Sequence, residues 1–169
     1  ALSQGLRMGC QGSTVERAVE FEVKEAAPCG FRQDFILDRK LGRGSFGTCY
    51  SARAASGGQL VAVKVVDLRP AGERGGRLHA AVEAEAAILR RLPKSPFVVE
   101  FHSHYVSDGL AYMVMEHGGT GLLRALESMQ AFTEETLQPI FSDMLSGIAA
   151  CHAAGIVHRD VKPDNFLAA

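Results

Sequence analysis

Residues 60–92 read LVAVKVVDLRPAGERGGRLHAAVEAEAAILRRL. The first seven, Leu60-Val61-Ala62-Val63-Lys64-Val65-Val66, carry six apolar side chains and one charge. The β-branched content predicts a strand. Pleating sends alternate side chains to opposite faces, so Lys64 shares a face with Leu60, Ala62 and Val66. A lone lysine there would ordinarily snorkel to water or guard a sheet edge. Residues 69–76 read as a loop. Arg77 to Leu92 reads as a helix rich in Ala, Glu, Leu and Arg, stopped by Pro93 and Pro96. With about 100° per residue and Leu78 at zero, Val82 falls near about +40°, Leu89 near about +20° and Leu92 near about −40°. Glu85 falls at about −20°, inside this apolar stripe, and Glu83 at about 140°, on the surface side. A buried carboxylate needs a cation or it protonates. Lys64 is the one Lys or Arg inside an apolar strand run, so the two are expected to pair.

Upstream, Phe35-Ile36-Leu37 and Leu41 suggest a strand that runs into Gly42-Arg43-Gly44-Ser45-Phe46-Gly47. Glycine lets backbone N–H groups approach an anion closely. This motif precedes another strand, Cys49 to Ala54, whereas the dinucleotide-binding version opens a helix. Ser56-Gly57-Gly58 predicts a hairpin turn into the Lys64 strand. Downstream, Phe97 to Phe101 and Leu110 to Met115 are expected strands joined by a turn at Ser107-Asp108-Gly109. Gly118, Gly119 and Gly121 mark a lobe boundary, followed by a short helix over Leu122 to Met129. Thr133 to Ala154 is the clearest helix. Leu137, Ile140, Phe141, Met144, Leu145 and Ile148 form one apolar stripe, with Thr133 as N-cap. Pro139 predicts a later start or a kink. Strands followed by helices place the chain in the α+β class.

After that helix comes His158-Arg159-Asp160-Val161-Lys162-Pro163-Asp164-Asn165. Pro163 favours extended backbone before it, which makes the segment a loop. Asp160 and Asn165 could be aimed at one point by a curl of the chain. A carboxylate can take a hydroxyl proton, an amide oxygen can ligate a hard cation and a lysine can neutralise phosphate.

The 169 residues are 47% hydrophobic, enough for a core. The net charge of −1 gives no field that would draw nucleic acid or an anionic membrane. No apolar run is long enough to span a bilayer, and the N-terminus lacks a basic-then-apolar secretory pattern. Cys10, Cys29, Cys49 and Cys151 are too sparse for a disulfide scaffold, so a cytoplasmic or nuclear setting is expected. Residues 1–30 show no sustained period and read as a loose extension, with a short helix around Thr14 to Ala27.

Together, the glycine motif, Val61-Ala62-Val63-Lys64, Glu85 and His158-Arg159-Asp160 through Asn165 resemble the eukaryotic protein kinase family, in family order. The resemblance covers about Phe31 to Ala169, the front part of such a domain. It implies a kinase N-terminal lobe, an antiparallel sheet plus one helix, over 31–116. Residues 117–169 would be the hinge and the start of a mainly helical C-terminal lobe. It implies an ATP- and Mg²⁺-dependent enzyme that phosphorylates Ser or Thr of a protein substrate. ATP would contact Leu41, Gly42, Gly44, Ser45, Phe46, Gly47, Cys49, Ala62 and Lys64. Met115 would be the gatekeeper, with Glu116 and Gly118 offering backbone groups to adenine. Glu85 would hold Lys64, Asp160 would be the base, and Asn165 would ligate Mg²⁺. Lys162 looks like the Ser/Thr-kinase pattern. Cys49 departs from the usual valine, and no acidic residue follows the hinge where many relatives contact ribose. No Asp-Phe-Gly follows Asn165, so this chain alone is expected to be inactive. The alternative is a truncated module that holds nucleotide or a partner without transfer.

Overall fold

A computed structural model describes residues 6–8, 30–44, 47–69 and 73–168. The chain divides into two compact units. One draws on Thr14–Arg90 and Phe101–His117, and the other on Ala1–Ser13, Arg91–Glu100 and Gly118–Ala169. The expected helix around Thr14 to Ala27 lies outside the described residues.

The first, sheet-rich unit holds a five-stranded antiparallel sheet. A three-residue strand near the N-terminus, β1 (Leu6–Met8), belongs to the other unit. The sheet is built from β2 (Phe35–Gly44), β3 (Gly47–Ala54), β4 (Leu60–Asp67), β5 (Phe101–Ser107) and β6 (Leu110–Glu116). Its order is β2-β3-β4-β6-β5, so β4 lies at the centre. The β3–β4 turn uses Gly57 at φ 83° and Gly58 at φ 142°, which side chains rarely tolerate. The β5–β6 turn has Asp108 at φ 55° and Gly109 at φ 72°, the two positive values of a type I′ hairpin.

The faces divide as pleating requires. Val61, Val63 and Val65 join Ala52, Tyr112 and Val114 under Phe31. Phe31 sits on the short helix α1 (Phe31–Asp34) and stacks on Tyr112 at 4.1 Å. The Tyr105 hydroxyl donates to Asp34 at 3.1 Å and ties the helix down. Ala62, Lys64 and Val66 therefore point to the other face. Helix α2 spans Glu73–Arg91, so it begins inside the stretch expected as a loop. Gly75 and Gly76 argued against helix because each costs about 1 kcal/mol relative to Ala. Gly75 is buried, and tertiary context overrides that propensity.

The second, helix-rich unit has its own sheet, β1-β8-β7, with β7 at Thr120–Gly121 and β8 at Phe166–Ala168. Helices α3 (Leu122–Glu127) and α4 (Glu134–Ala153) complete it. Within the stretch expected as a loose extension, Leu6–Met8 form an ordered strand. Leu6 and Met8 are buried in the core with Val98, Leu122, Ile140, Cys151 and Phe166. The Leu6 N–H donates to Asp143 Oδ2 of α4 at 2.9 Å.

The same strand explains why Phe97 to Phe101 is not the expected strand. Met8 N–H donates to the Phe97 carbonyl, and Val99 N–H to the Met8 carbonyl. This braces residues 97–99 as a loop, and β5 begins only at Phe101.

Helix α4 begins as expected. The Thr133 side chain accepts from the Thr136 N–H, and Thr136 returns the bond in a capping box. Pro139 lies inside the helix without delaying its start. The expected stripe is only partly covered. Ile140 is buried, but Phe141 is 56% and Leu145 64% exposed.

Gly147 of α4 allows a close backbone approach, because a Cβ there would lie 2.8 Å from the Phe97 carbonyl oxygen and 3.3 Å from Met8 Cβ. Gly147→Ala is therefore expected to destabilise this unit by about 1–3 kcal/mol, the usual overpacking cost, despite alanine's better helix propensity. A urea titration checks the sign: a stabilised variant would mean the loop yields freely.

Candidate active site

In the sheet-rich unit, one cross-strand row defines the face opposite Phe31. Gly42 pairs with Cys49, Cys49 with Lys64, Lys64 with Met113, and Met113 with His104. Directly opposed residues share a sheet face. Lys64 is 5% exposed and Glu85, on α2, is 9% exposed. The Lys64 ammonium donates to both Glu85 carboxylate oxygens at 2.8 Å. The expected pair therefore forms. It explains how one charge survives in the middle strand of a sheet: each ion supplies what water would have supplied.

Along the glycine segment, two glycines have different causes. A Cβ on Gly47 would lie 2.4 Å from the Val65 carbonyl oxygen, so the fold itself demands glycine there. A Cβ on Gly42 would meet nothing within 4 Å. Ser45 and Phe46 lie outside the described residues. Leu41 is 42% exposed on the edge strand β2. Cys49 is half-buried, and burial pushes its thiol up, against a smaller opposing pull from Lys64. Ala62 lies opposite Met115, and Val61 opposite Glu116.

Gly118 belongs to the helix-rich unit. A Cβ on it would fall 2.4 Å from Leu167 Cδ1, so β8 packs where a side chain would stand.

That unit also carries the polar loop. Lys162 is extended, at φ −155° and ψ 158°, as a residue before proline should be. A single 3₁₀ turn, Pro163–Asn165, then curls the chain back. Asn165 is 1% exposed, and its Nδ2 donates to the Asp160 carbonyl and, at 3.1 Å, to Asp160 Oδ2. Its Oδ1 is buried and has no partner among the described residues. An amide oxygen in that condition suits a hard cation.

Asp160 also accepts from the Lys162 ammonium at 2.8 Å. These bonds, Lys162 first and Asn165 second, hold its carboxyl below the ordinary value. The Lys162 ammonium is raised in turn, chiefly by its bond to Asp160. The Asp160 N–H donates to His158 Nδ1 at 3.3 Å. Arg159 has φ 64°, an uncommon backbone state for a side chain and the kind of strain that collects at functional sites.

The depressed carboxyl sets a pH expectation. Its stabilising bonds are fully made above the ordinary value of 3.8 and are lost only as pH falls through the lower folded value. A carbon-13 titration of Asp160 should show this, and Lys162→Met should move the midpoint upward. An unmoved midpoint would remove Lys162 as the cause.

Sequence reasoning missed a second polar group on the sheet face. His104 is 9% exposed on β5. Its Nδ1 lies 3.2 Å from the Arg90 guanidinium, and its Nε2 lies 3.1 Å from Glu83. Glu83, 39% exposed, thus borders a buried histidine as well as solvent. The helical angles had already put Glu83 off the Lys64 side, but this contact could be seen only with β5 in the right register.

Among known proteins, the protein kinase domain model matches residues 35–169. The CBL-interacting protein kinase 20 of Oryza sativa subsp. japonica is 35% identical over 135 residues, covering 79% of this chain and 29% of that protein. The CBL-interacting protein kinase 4 of the same plant is 38% identical over 136 residues, covering 79% and 30%. The CBL-interacting serine/threonine-protein kinase 18 of Arabidopsis thaliana is 34% identical over 133 residues, covering 79% and 25%. The chain spans less than a third of the length of these relatives. With the matched segment taking in the glycine motif, the Lys64–Glu85 pair and the Asp160 loop, the chain belongs to the protein kinase family.

Proposed function

We propose that this chain is part of a serine/threonine protein kinase that moves the γ-phosphoryl of ATP to a Ser or Thr hydroxyl of a protein. The observation that carries the reading is the buried Lys64 ammonium, gripped by both oxygens of Glu85 on a sheet face bordered by Gly42. A fixed ammonium is what phosphate oxygens need. Phosphoryl transfer depends on positioning and charge neutralisation more than on covalent chemistry.

In this reading Lys64 contacts the α- and β-phosphates, and Glu85 sets its position. Gly42, Gly44 and Gly47 let the backbone approach the phosphates, and Leu41, Cys49, Ala62 and Met115 border adenine. Asp160 accepts the hydroxyl proton. Its low affinity for protons is no obstacle where the transition state is loose and little base strength is required. Lys162 holds that carboxylate and balances charge near it. Asn165 Oδ1 would hold Mg²⁺, which neutralises phosphate charge when bound. Among the described residues no helix is long and apolar enough to cross a membrane.

The test uses the open space at Gly42. Mg-ATP should raise the melting temperature of the protein, since a ligand at about 100 times its Kd adds about 2.7 kcal/mol. Gly42→Ala should leave the melting temperature without ligand unchanged, because no atom opposes the new methyl, and should shrink the ATP shift. No shift in the unmodified chain would overturn nucleotide binding. A shift without transfer, from a polypeptide continuing through the rest of the kinase domain, would favour the module that only holds nucleotide or a partner.

A further inference from the structure

Helix α2 is docked in an unusual way. Among the described residues, neither apolar cluster contains a side chain from it. Val82, Ala86 and Leu89 are buried, yet the bonds that name a specific partner are polar. With Glu85 at zero, Leu89, Val82 and Ala86 fall at about 40°, 60° and 100° around the helix, and Arg90 and Glu83 at about 140° and 160°. The polar contacts therefore lie at the two edges of the buried residues Leu89, Val82 and Ala86, Glu85 at one edge and Glu83 and Arg90 at the other.

Both flanks reach the same row of the sheet. Lys64 binds Glu85, and His104 binds Arg90 and lies 3.1 Å from Glu83. Met113 lies between them in the ladder and is fully buried. Two strand spacings put the anchors about 10 Å apart. A guanidinium can only donate, so His104 Nδ1 accepts from Arg90, while Nε2 lies against Glu83 without a well-aligned hydrogen bond. The Arg90 guanidinium also lies 5.8 Å over the Phe101 ring, which holds it beside His104.

An apolar stripe tolerates rolling of a helix about its own axis, because burial is non-directional. Two polar contacts on opposite flanks do not. We propose that His104 is a positioning residue: by accepting from Arg90 and packing against Glu83 it fixes the roll of α2 and so aims Glu85 at Lys64. Its importance for phosphate binding rests on the kinase reading above; the mechanical claim does not.

The readout is the ion pair itself. The Lys64 ammonium protons, followed by nitrogen-15 NMR and assigned by their loss in Lys64→Met, should exchange slowly with water in the unmodified chain. His104→Ala should speed that exchange roughly tenfold or more, the scale of losing one charge-assisted bond. His104→Gln, which can both accept and donate, should restore slow exchange. Val63→Ala, a truncation on the opposite sheet face, should lower the melting temperature without changing Lys64 exchange. Should His104→Ala fail to fold, Arg90→Gln carries the same expectation with the ring kept.

Unchanged Lys64 exchange in folded His104→Ala or Arg90→Gln overturns the proposal. So does equal acceleration by Val63→Ala, which would mark a general loosening. None of these outcomes depends on nucleotide binding, so a chain that ignores Mg-ATP leaves them readable.

Discussion

Glu85→Ala is expected to destabilise the sheet-rich unit by about 3–5 kcal/mol, the cost of leaving a buried ion without its partner. The Lys64 ammonium would keep its place in the central strand, 5% exposed, with the apolar Met113 side chain beside it in the ladder. It could then only lose its proton or pull the strand apart. Removing both charges should behave differently. Lys64→Met with Glu85→Leu replaces a desolvated pair by apolar groups of similar length, a change that is often neutral or stabilising. The double variant should therefore recover most of the lost stability while failing to respond to Mg-ATP. Such a result would assign the pair to function and not to folding. Urea titrations of the two variants decide it: a loss below about 1 kcal/mol in Glu85→Ala would mean that water reaches Lys64 after all.

Asp160→Asn should reduce phosphotransfer by about 10²–10⁴-fold in a polypeptide that continues through the rest of the kinase domain, the usual range for a missing acid–base group. Stability should hardly change, since the side chain is 35% exposed and its ion-pair partner Lys162 is 48% exposed. The affinity for Mg-ATP, measured by thermal shift, should also persist. Phosphorylation of a generic Ser/Thr protein substrate measures the effect, and turnover within threefold of the unmodified enzyme would move the base elsewhere.

The parts of this architecture that a reader could extract from the letters are those set by local periodicity. Lys64 stood out because six apolar neighbours surrounded it, and Glu85 because a rotation of about 100° per residue put it in a stripe. The Gly57-Gly58 and Asp108-Gly109 turns were visible because only a few residue types accept positive φ. What stayed hidden was set by distant partners. Leu6-Arg7-Met8 is too short to show a period, and its burial comes from β8 and α4. Phe97 to Phe101 had the apolar content of a strand, but Met8 takes up the backbone groups of Phe97 and Val99. β5 was obscured by His102, Ser103 and His104, polar letters on an edge strand. With β5 misplaced, His104 had no neighbours to be read against. In the polar loop, residue types alone suggested a converging carboxylate and amide, while the Arg159 backbone and the single 3₁₀ turn needed coordinates.

The pairing of Leu6 with Ala168 has a kinetic consequence. The sheet-rich unit is stitched largely by hairpins between strands close in sequence, so most of its closures are short. The helix-rich unit cannot complete its small sheet until β8 has left the ribosome, although Met8 can already engage residues 97–99 before that. Loops of that span close slowly, and apolar Leu6 and Met8 stay uncovered until residues 97–99, and then β8, have been made.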